Sequence, residues 1–270
     1  MNAVDFEYDG QYLSDYGFII CDFDERSGVD TVSAGSVITF NKVSLNSGKK
    51  HSLTSTKYDE CLTTIFDICK NPEIYSPDEM EITIDECREL MRWLNRRQFL
   101  KFQIYDKDRD LETCYYDVSF NIEKIKISER VYGLRLTMET NRPFGYGMEQ
   151  ETTLSFEAEE EKVFVDFSDE IGVLYPKIQI TCKDDGDLHV YNNLFDSEMV
   201  IKNCTNGEKI FIDTEHQIIY SSIVDRKIFN DFNYEFLKIG NTLHDRRNKI
   251  HASMACDIII TYTPIIKESP

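Results

Sequence analysis

The stretch Thr83-Ile84-Asp85-Glu86-Cys87-Arg88-Glu89-Leu90-Met91-Arg92-Trp93-Leu94-Asn95-Arg96-Arg97 decides the fold, because it is the one clear helix in a strand-rich chain. Thr83 and Glu86 have the spacing of a capping box. The Thr hydroxyl accepts from the amide three residues on, and the carboxylate reaches back. Ile84, Cys87, Met91 and Leu94 recur at helical intervals and predict one apolar face. Glu86 and Glu89 lie towards the positive end of the helix dipole, and Arg92, Arg96 and Arg97 towards the negative end. The helix also carries the only tryptophan, Trp93.

Outward from the helix the pattern is that of strands. Residues 6–12 read as a strand with a tight turn at Asp9-Gly10. Apolar runs follow at 16–23 and 36–43. The stretch 58–69 fits both a helical and an alternating period, and its Thr, Ile and Phe content favours a strand. After the helix, runs at 99–106, 113–127 and 130–139 predict an antiparallel meander. Asn141-Arg142-Pro143-Phe144-Gly145-Tyr146-Gly147 then punctuates the chain. It predicts two domains, 1–147 and 148–270.

Beyond it, strands are expected at 152–158, 162–167, 177–182, 187–192, 198–203, 209–213 and 216–220. A last pair is expected at 235–239 and 255–261. Asp185-Gly186 and Asn206-Gly207 read as hairpin turns. Seven or more short strands with turns between them predict a β-sandwich or jelly roll. Residues 224–234 read as a polar loop. The fold class is mainly β, with one helix in the first domain.

Composition narrows the function. With 270 residues, 41% hydrophobic and 12% aromatic, the chain suits two well-packed domains. No run approaches the roughly 20 apolar residues of a membrane span. The first residues lack the basic and apolar regions of a signal peptide. A net charge of -19 argues against nonspecific nucleic-acid binding, which needs Lys and Arg to neutralise phosphates. Eight cysteines, at 21, 61, 69, 87, 114, 182, 204 and 256, are scattered without C-x-x-C or a nearby His pair. They predict reduced core thiols and no zinc.

Three constellations invite a chemical reading. Asp106-Lys107-Asp108-Arg109-Asp110, with Asp117, echoes a calcium loop, but Leu111 stands where that loop needs Gly and the flanks are strands. A solvated hairpin tip is expected instead. Glu157-Ala158-Glu159-Glu160-Glu161 offers carboxylates, but adjacent acids at a turn are not two groups held across a cleft. His244, Arg246, Arg247 and His251, beside Asn241, suggest a sugar-binding patch or, more simply, an exposed loop before the last strand. The chain has no nucleophile elbow, phosphate loop, H-E-x-x-H or dinucleotide fingerprint. No catalytic, cofactor-binding or metal-binding residue is assigned, and no enzyme is expected.

The order of these pieces resembles the distal tail protein family (Dit) of long-tailed bacteriophages and prophages. The resemblance is carried by Phe6-Glu7-Tyr8-Asp9-Gly10 with Ser14-Asp15-Tyr16-Gly17, by Trp93-Leu94 ahead of Phe99-Leu100, and by Arg142-Pro143-Phe144-Gly145. In the second half it is carried by 206–213, 236–243 and 258–264. It implies an N-terminal β-sandwich belt domain that assembles into a hexameric ring, and a C-terminal galectin-like β-sandwich pointing outward. The ring would join the tail tube protein to the tail-tip or baseplate proteins and the receptor-binding protein, at the virion tail tip, after synthesis in the bacterial cytoplasm. It implies no specific nucleic-acid binding, no membrane insertion and no cofactor. The alternative is a carbohydrate-binding module or lectin using the second sandwich. Such a site presents exposed aromatic rings, and the second half has no Trp.

Overall fold

The computed structural model describes residues 4–23, 37–45, 48–58, 61–105, 114–157 and 159–267. It divides into two units, residues 1–146 with 267–270, and residues 147–266. The calcium-loop-like tip at 106–110 lies outside the described residues.

The first unit contains β1 (Asp5–Tyr8), β2 (Gln11–Tyr12), β3 (Phe18–Cys21), β4 (Ile38–Leu45), β5 (Lys50–Tyr58) and β6 (Thr63–Lys70). Then come α1 (Ile84–Leu94), β7 (Leu100–Tyr105), β8 (Tyr116–Ile127), β9 (Arg130–Thr140) and β10 (Gly145–Tyr146). Seven strands form one antiparallel sheet in the order β2-β1-β7-β8-β9-β6-β3, with the meander β7-β8-β9 at its centre. Asp9 and Gly10 have φ of 52° and 75°, as a two-residue hairpin turn requires. The ambiguous stretch before the helix is strand β6.

One sheet supplies both layers of this unit by curling. β1 and β6 stand four positions apart, about 19 Å in a flat sheet. Yet the rings of Phe6 and Phe66 are 5.8 Å apart, centroid to centroid. Phe102 and Phe120 complete the cluster, each within 6.3 Å of Phe66. At the rim, Ile20 N of β3 donates to Val4 O, just ahead of β1 (3.1 Å).

The helix begins where the capping box places it. Thr83 Oγ1 accepts from Glu86 N (3.3 Å), and Glu86 Oε2 accepts from Thr83 N (2.7 Å). The buried Lys70 pairs with Glu86 (2.8 Å) and donates to the carbonyls of Glu79 (3.0 Å) and Glu81 (2.9 Å). Burial alone would push the Glu86 carboxyl up, but the bonds from Lys70 and Thr83 outweigh it and hold it below the usual range.

The buried face differs from the one expected. Cys87, Leu90, Trp93 and Leu94 are buried, whereas Ile84 is 78% exposed and Met91 36%. At about 100° per residue the apolar side chains cover roughly half the helix circumference. The sheet covers only the part centred between Leu90 and Leu94, which leaves Ile84 and Met91 beyond its edge.

The second unit contains β11 (Gln150–Phe156), β12 (Glu160–Val165), β13 (Gly172–Leu174), β14 (Lys177–Cys182), β15 (Gly186–Asn192) and β16 (Glu198–Cys204). It continues with β17 (Lys209–Asp213), β18 (Ile218–Ser221), β19 (Ile239–Asn241), β20 (Arg247–Ala252), β21 (Cys256–Tyr262) and β22 (Ile265–Ile266). A five-stranded sheet, β11-β21-β14-β17-β18, and a four-stranded sheet, β12-β20-β15-β16, form a sandwich. Their alternate residues, among them Phe156, Ile180, Val190, Ile201, Ile250 and Ile258, make one core.

Two expected hairpins are sheet-to-sheet crossings. The Asp185-Gly186 turn leads from β14 in one sheet to β15 in the other, and Asn206-Gly207 leads from β16 back to β17. Hydrogen-bonding capacity is the reason. Cys182 N donates to Glu208 O (2.9 Å) and Cys182 O accepts from Gly207 N (2.8 Å). The other side of β14 is filled by β21. No room remains for β15 beside β14. The expected last pair is also corrected: β19 pairs with β13, while β21 lies between β11 and β14.

The polar stretch 224–234 has a structural role. Lys202 N donates to Asp231 O (2.8 Å), Phe232 bridges Ile201, and Asn233 N donates to Val200 O (3.2 Å). These bonds seal the free edge of β16, and Ile228 and Phe232 enter the core. Unsealed edges invite pairing with other chains. Arg226 anchors the segment through an ion pair with the buried Glu208, whose other oxygen accepts from Ser221 Oγ (2.5 Å). Glu208→Gln removes the charge that compensates buried Arg226. It should cost about 2 kcal/mol in urea unfolding, whereas a loss below a few tenths would make the anchor incidental.

Candidate assembly surface

β4 and β5 pair only with each other among the described residues, as a two-stranded arm outside the seven-stranded sheet. Asn41 Nδ2 donates to Ser55 Oγ (2.9 Å), and Thr54 Oγ1 donates to Asn41 O (2.9 Å) beside a bulge at Asn41/Lys42. At the tip, Gly48 has φ of 87° and its N donates to Leu45 O (3.2 Å). At the root, the rings of Tyr58 and Phe144 meet edge to face at 6.2 Å.

Its surface is unusual in two respects. Alternation along β4 puts Ile38 and Phe40 on one face with Leu53 of the paired strand, and Val43 and Leu45 on the other; all five are exposed, Phe40 by 53% and Leu53 by 55%. An isolated two-stranded hairpin is marginal in water, and gathered exposed apolar side chains mark interaction surfaces. The second respect is charge. From Thr31 to Tyr58 the sequence has no Asp or Glu and holds four lysines, Lys42, Lys49, Lys50 and Lys57. Subtracting their +4 from -19 leaves -23 on the rest of the chain. A basic, apolar arm on an acidic chain is complementary to a second copy of that chain.

In the sequence β4 stands out as an apolar run, whereas β5, and with it the arm, does not. The signal was present: a turn at Asn46-Ser47-Gly48 between two alternating stretches free of acids.

The other candidates do not converge. Around the acidic run, Glu160 pairs with Lys162 (2.5 Å) and Glu161 with Lys249 (3.4 Å), and Asn193 Nδ2 donates to Glu161 (2.8 Å). These are ion-paired surface groups; Ala158 lies outside the described residues. The late polar cluster splits between inside and outside. Asn241 is buried and donates to Asp166 (2.5 Å), Ser168 O (3.2 Å) and Glu170 O (3.0 Å), clamping a loop. Nearby, burial pushes the Tyr262 hydroxyl up to about 12, so it stays protonated while accepting from Phe167 N (3.0 Å).

The expected loop before the last strand is instead largely strand β20, where Asn248, Ile250 and Ala252 face inward and Arg247, Lys249 and His251 outward. Arg246 pairs with Asp169 (3.5 Å) and Arg247 with Asp245 (3.0 Å). His251 stacks on Tyr191 at 4.6 Å. The charged residues on its outer face hide this strand in the sequence.

The comparisons agree with this architecture. Residues 1–142 match the family model described as the phage tail protein N-terminal domain, and residues 144–262 that of the phage tail C-terminal domain. The curated proteins offer no sequence match. Among solved structures, the chain is similar to the Dit (gp 19.1) protein of phage SPP1, described as a paradigm of the hub adsorption apparatus in phages infecting Gram-positive hosts. The identity is 14%, the TM-score 0.66, and the match covers 96% of this chain and 98% of that one. The mainly β fold, with one α-helix among the described residues, is thus the Dit fold, and the chain belongs to the phage tail protein family whose N- and C-terminal domains it carries in order.

Proposed function

We propose that this tail protein is the distal tail protein of its virion, a non-enzymatic adaptor that forms a hexameric ring between the tail tube and the tip. The first unit makes the ring, and the galectin-like sandwich offers its surface to tip and host-binding proteins. The observation that carries this reading is the arm: a structured hairpin with apolar side chains on both faces and uniform positive charge. A contact that one copy gives and the next receives is heterologous, and it closes into a ring when the rotation fits. The lectin reading has less support, because the late polar cluster does not converge on one site: Asn241 is buried, and Tyr191 and His251 stack on each other.

Size-exclusion chromatography with light scattering tests the ring on the full chain. A hexamer of 31.6 kDa chains has a mass of about 190 kDa. A monomer at every concentration up to 100 μM would remove the arm as a self-assembly device.

A further inference from the structure

Four of the eight cysteines, Cys87, Cys182, Cys204 and Cys256, are buried, as expected of core thiols. Cys21 and Cys69 differ. They sit on neighbouring antiparallel strands, with Cys21 opposite Asp67 and Cys69 opposite Ile19. Residues two apart on a strand share a face, so the two thiols are diagonal neighbours on one side of the sheet. The register therefore brings the two thiols to the same patch of the sheet surface. Both residues are half-buried, within reach of a small reagent. β3 is the end strand of its sheet, tied on its far side, among the described residues, by the single bond from Ile20 N to Val4 O, so closing the sulfurs to about 2.05 Å shifts a lightly held strand. Cys182 and Cys256 are direct cross-strand partners, but their burial keeps reagents out.

We propose that Cys21 and Cys69 form a disulfide when the protein passes from the reducing host cytoplasm to an oxidising medium, and that this bond closes the stretch of chain that carries the arm. The arm, 37–58, lies wholly within the loop of 48 residue steps (69 minus 21) that the bond closes. The oxidant is a low-molecular-weight disulfide. The Cys69 thiolate attacks one of its sulfurs and expels one thiolate, leaving a mixed disulfide. Cys21 then loses its proton to solvent and attacks the Cys69 sulfur, expelling the second thiolate. The protein gives up two electrons and the small disulfide takes them. The assignment of roles follows the electrostatics of the pair, in which Cys69 lies below the usual thiol range and Cys21 above it. Tail proteins work outside the cell, where disulfides persist.

The test uses the full chain with the exposed Cys61 replaced by Ser, which leaves seven thiols from the eight of the sequence. The protein is equilibrated in oxidised glutathione, alkylated after unfolding, and mapped by mass spectrometry. The expected result is about five free thiols and a Cys21–Cys69 linked peptide. The melting temperature should rise by about 10 °C over the dithiothreitol-treated protein, and a further Cys69→Ser change should abolish the rise. Seven free thiols, glutathione trapped on Cys21 or Cys69 without the linked peptide, or a link between other cysteines would each overturn the proposal. The thiol map does not depend on ring formation, so its failure is distinguishable from failure of the ring.

Discussion

Reversing the charge of the arm, with Lys42, Lys49, Lys50 and Lys57 all changed to Glu, should turn the assembled protein into monomers. Each reversal changes the chain by -2, so the four take the net charge from -19 to -27. The arm would then meet an acidic neighbour with like charge. Exposed ion pairs are worth at most about 1 kcal/mol each, but like charges brought together in a contact cost several kcal/mol. Four such contacts, at about 1 kcal/mol each, weaken each arm contact by roughly 1000-fold. Light scattering across about 0.1–100 μM covers that range of affinities. All four lysines are exposed, so far-UV circular dichroism should be unchanged, which separates lost assembly from lost folding. Phe40→Ser with Leu53→Ser probes the apolar half of the contact in the same assay. Assembly that survives both variants would place the ring contact elsewhere.

Trp93→Ala should cost about 4 kcal/mol of stability. Trp93 is 4% exposed and packs between Tyr16, at 4.5 Å, and Phe6, at 5.7 Å. Its Nε1 donates to Tyr8 O (3.0 Å). Truncation leaves a cavity between the helix and the mouth of the curled sheet, and leaves a carbonyl without its partner. Trp93→Phe keeps a ring but not the donor, and should cost about 1–2 kcal/mol. Urea unfolding followed by circular dichroism measures both, since the native tryptophan fluorescence vanishes with the residue. Equal small losses in the two variants would mean that the helix is an ornament on the sheet.

The start of the helix was legible because a capping box is local: Thr83 and Glu86 satisfy each other's backbone within one turn. The Asp9-Gly10 turn was legible for the same kind of reason, since few residue pairs accept φ > 0 at both positions. Strand positions followed from alternation wherever one face is buried, as along β14 and β21. That signal failed along β20, where Arg247, Lys249 and His251 masked the inward Asn248, Ile250 and Ala252. It also failed at β5, because an arm with both faces in solvent has no buried side to impose a period.

By itself, then, the sequence determined local conformation: where the helix begins, which turns are tight, which segments are extended, and the acid-free stretch 31–58. Only the tertiary structure decided partners. Which side of α1 is buried was chosen by the concave face of the curled sheet, which has no counterpart in a helical period. Whether Asp185-Gly186 and Asn206-Gly207 make hairpins was decided by β17 and β21 already occupying both sides of β14. The pairing of Arg226 with Glu208, 18 residues away, was decided by the need to compensate a charge taken out of water. Backbone geometry acts over a few residues, whereas burial and hydrogen-bond capacity are shared across the whole unit, and the chain's pattern of partners is the solution to that shared demand.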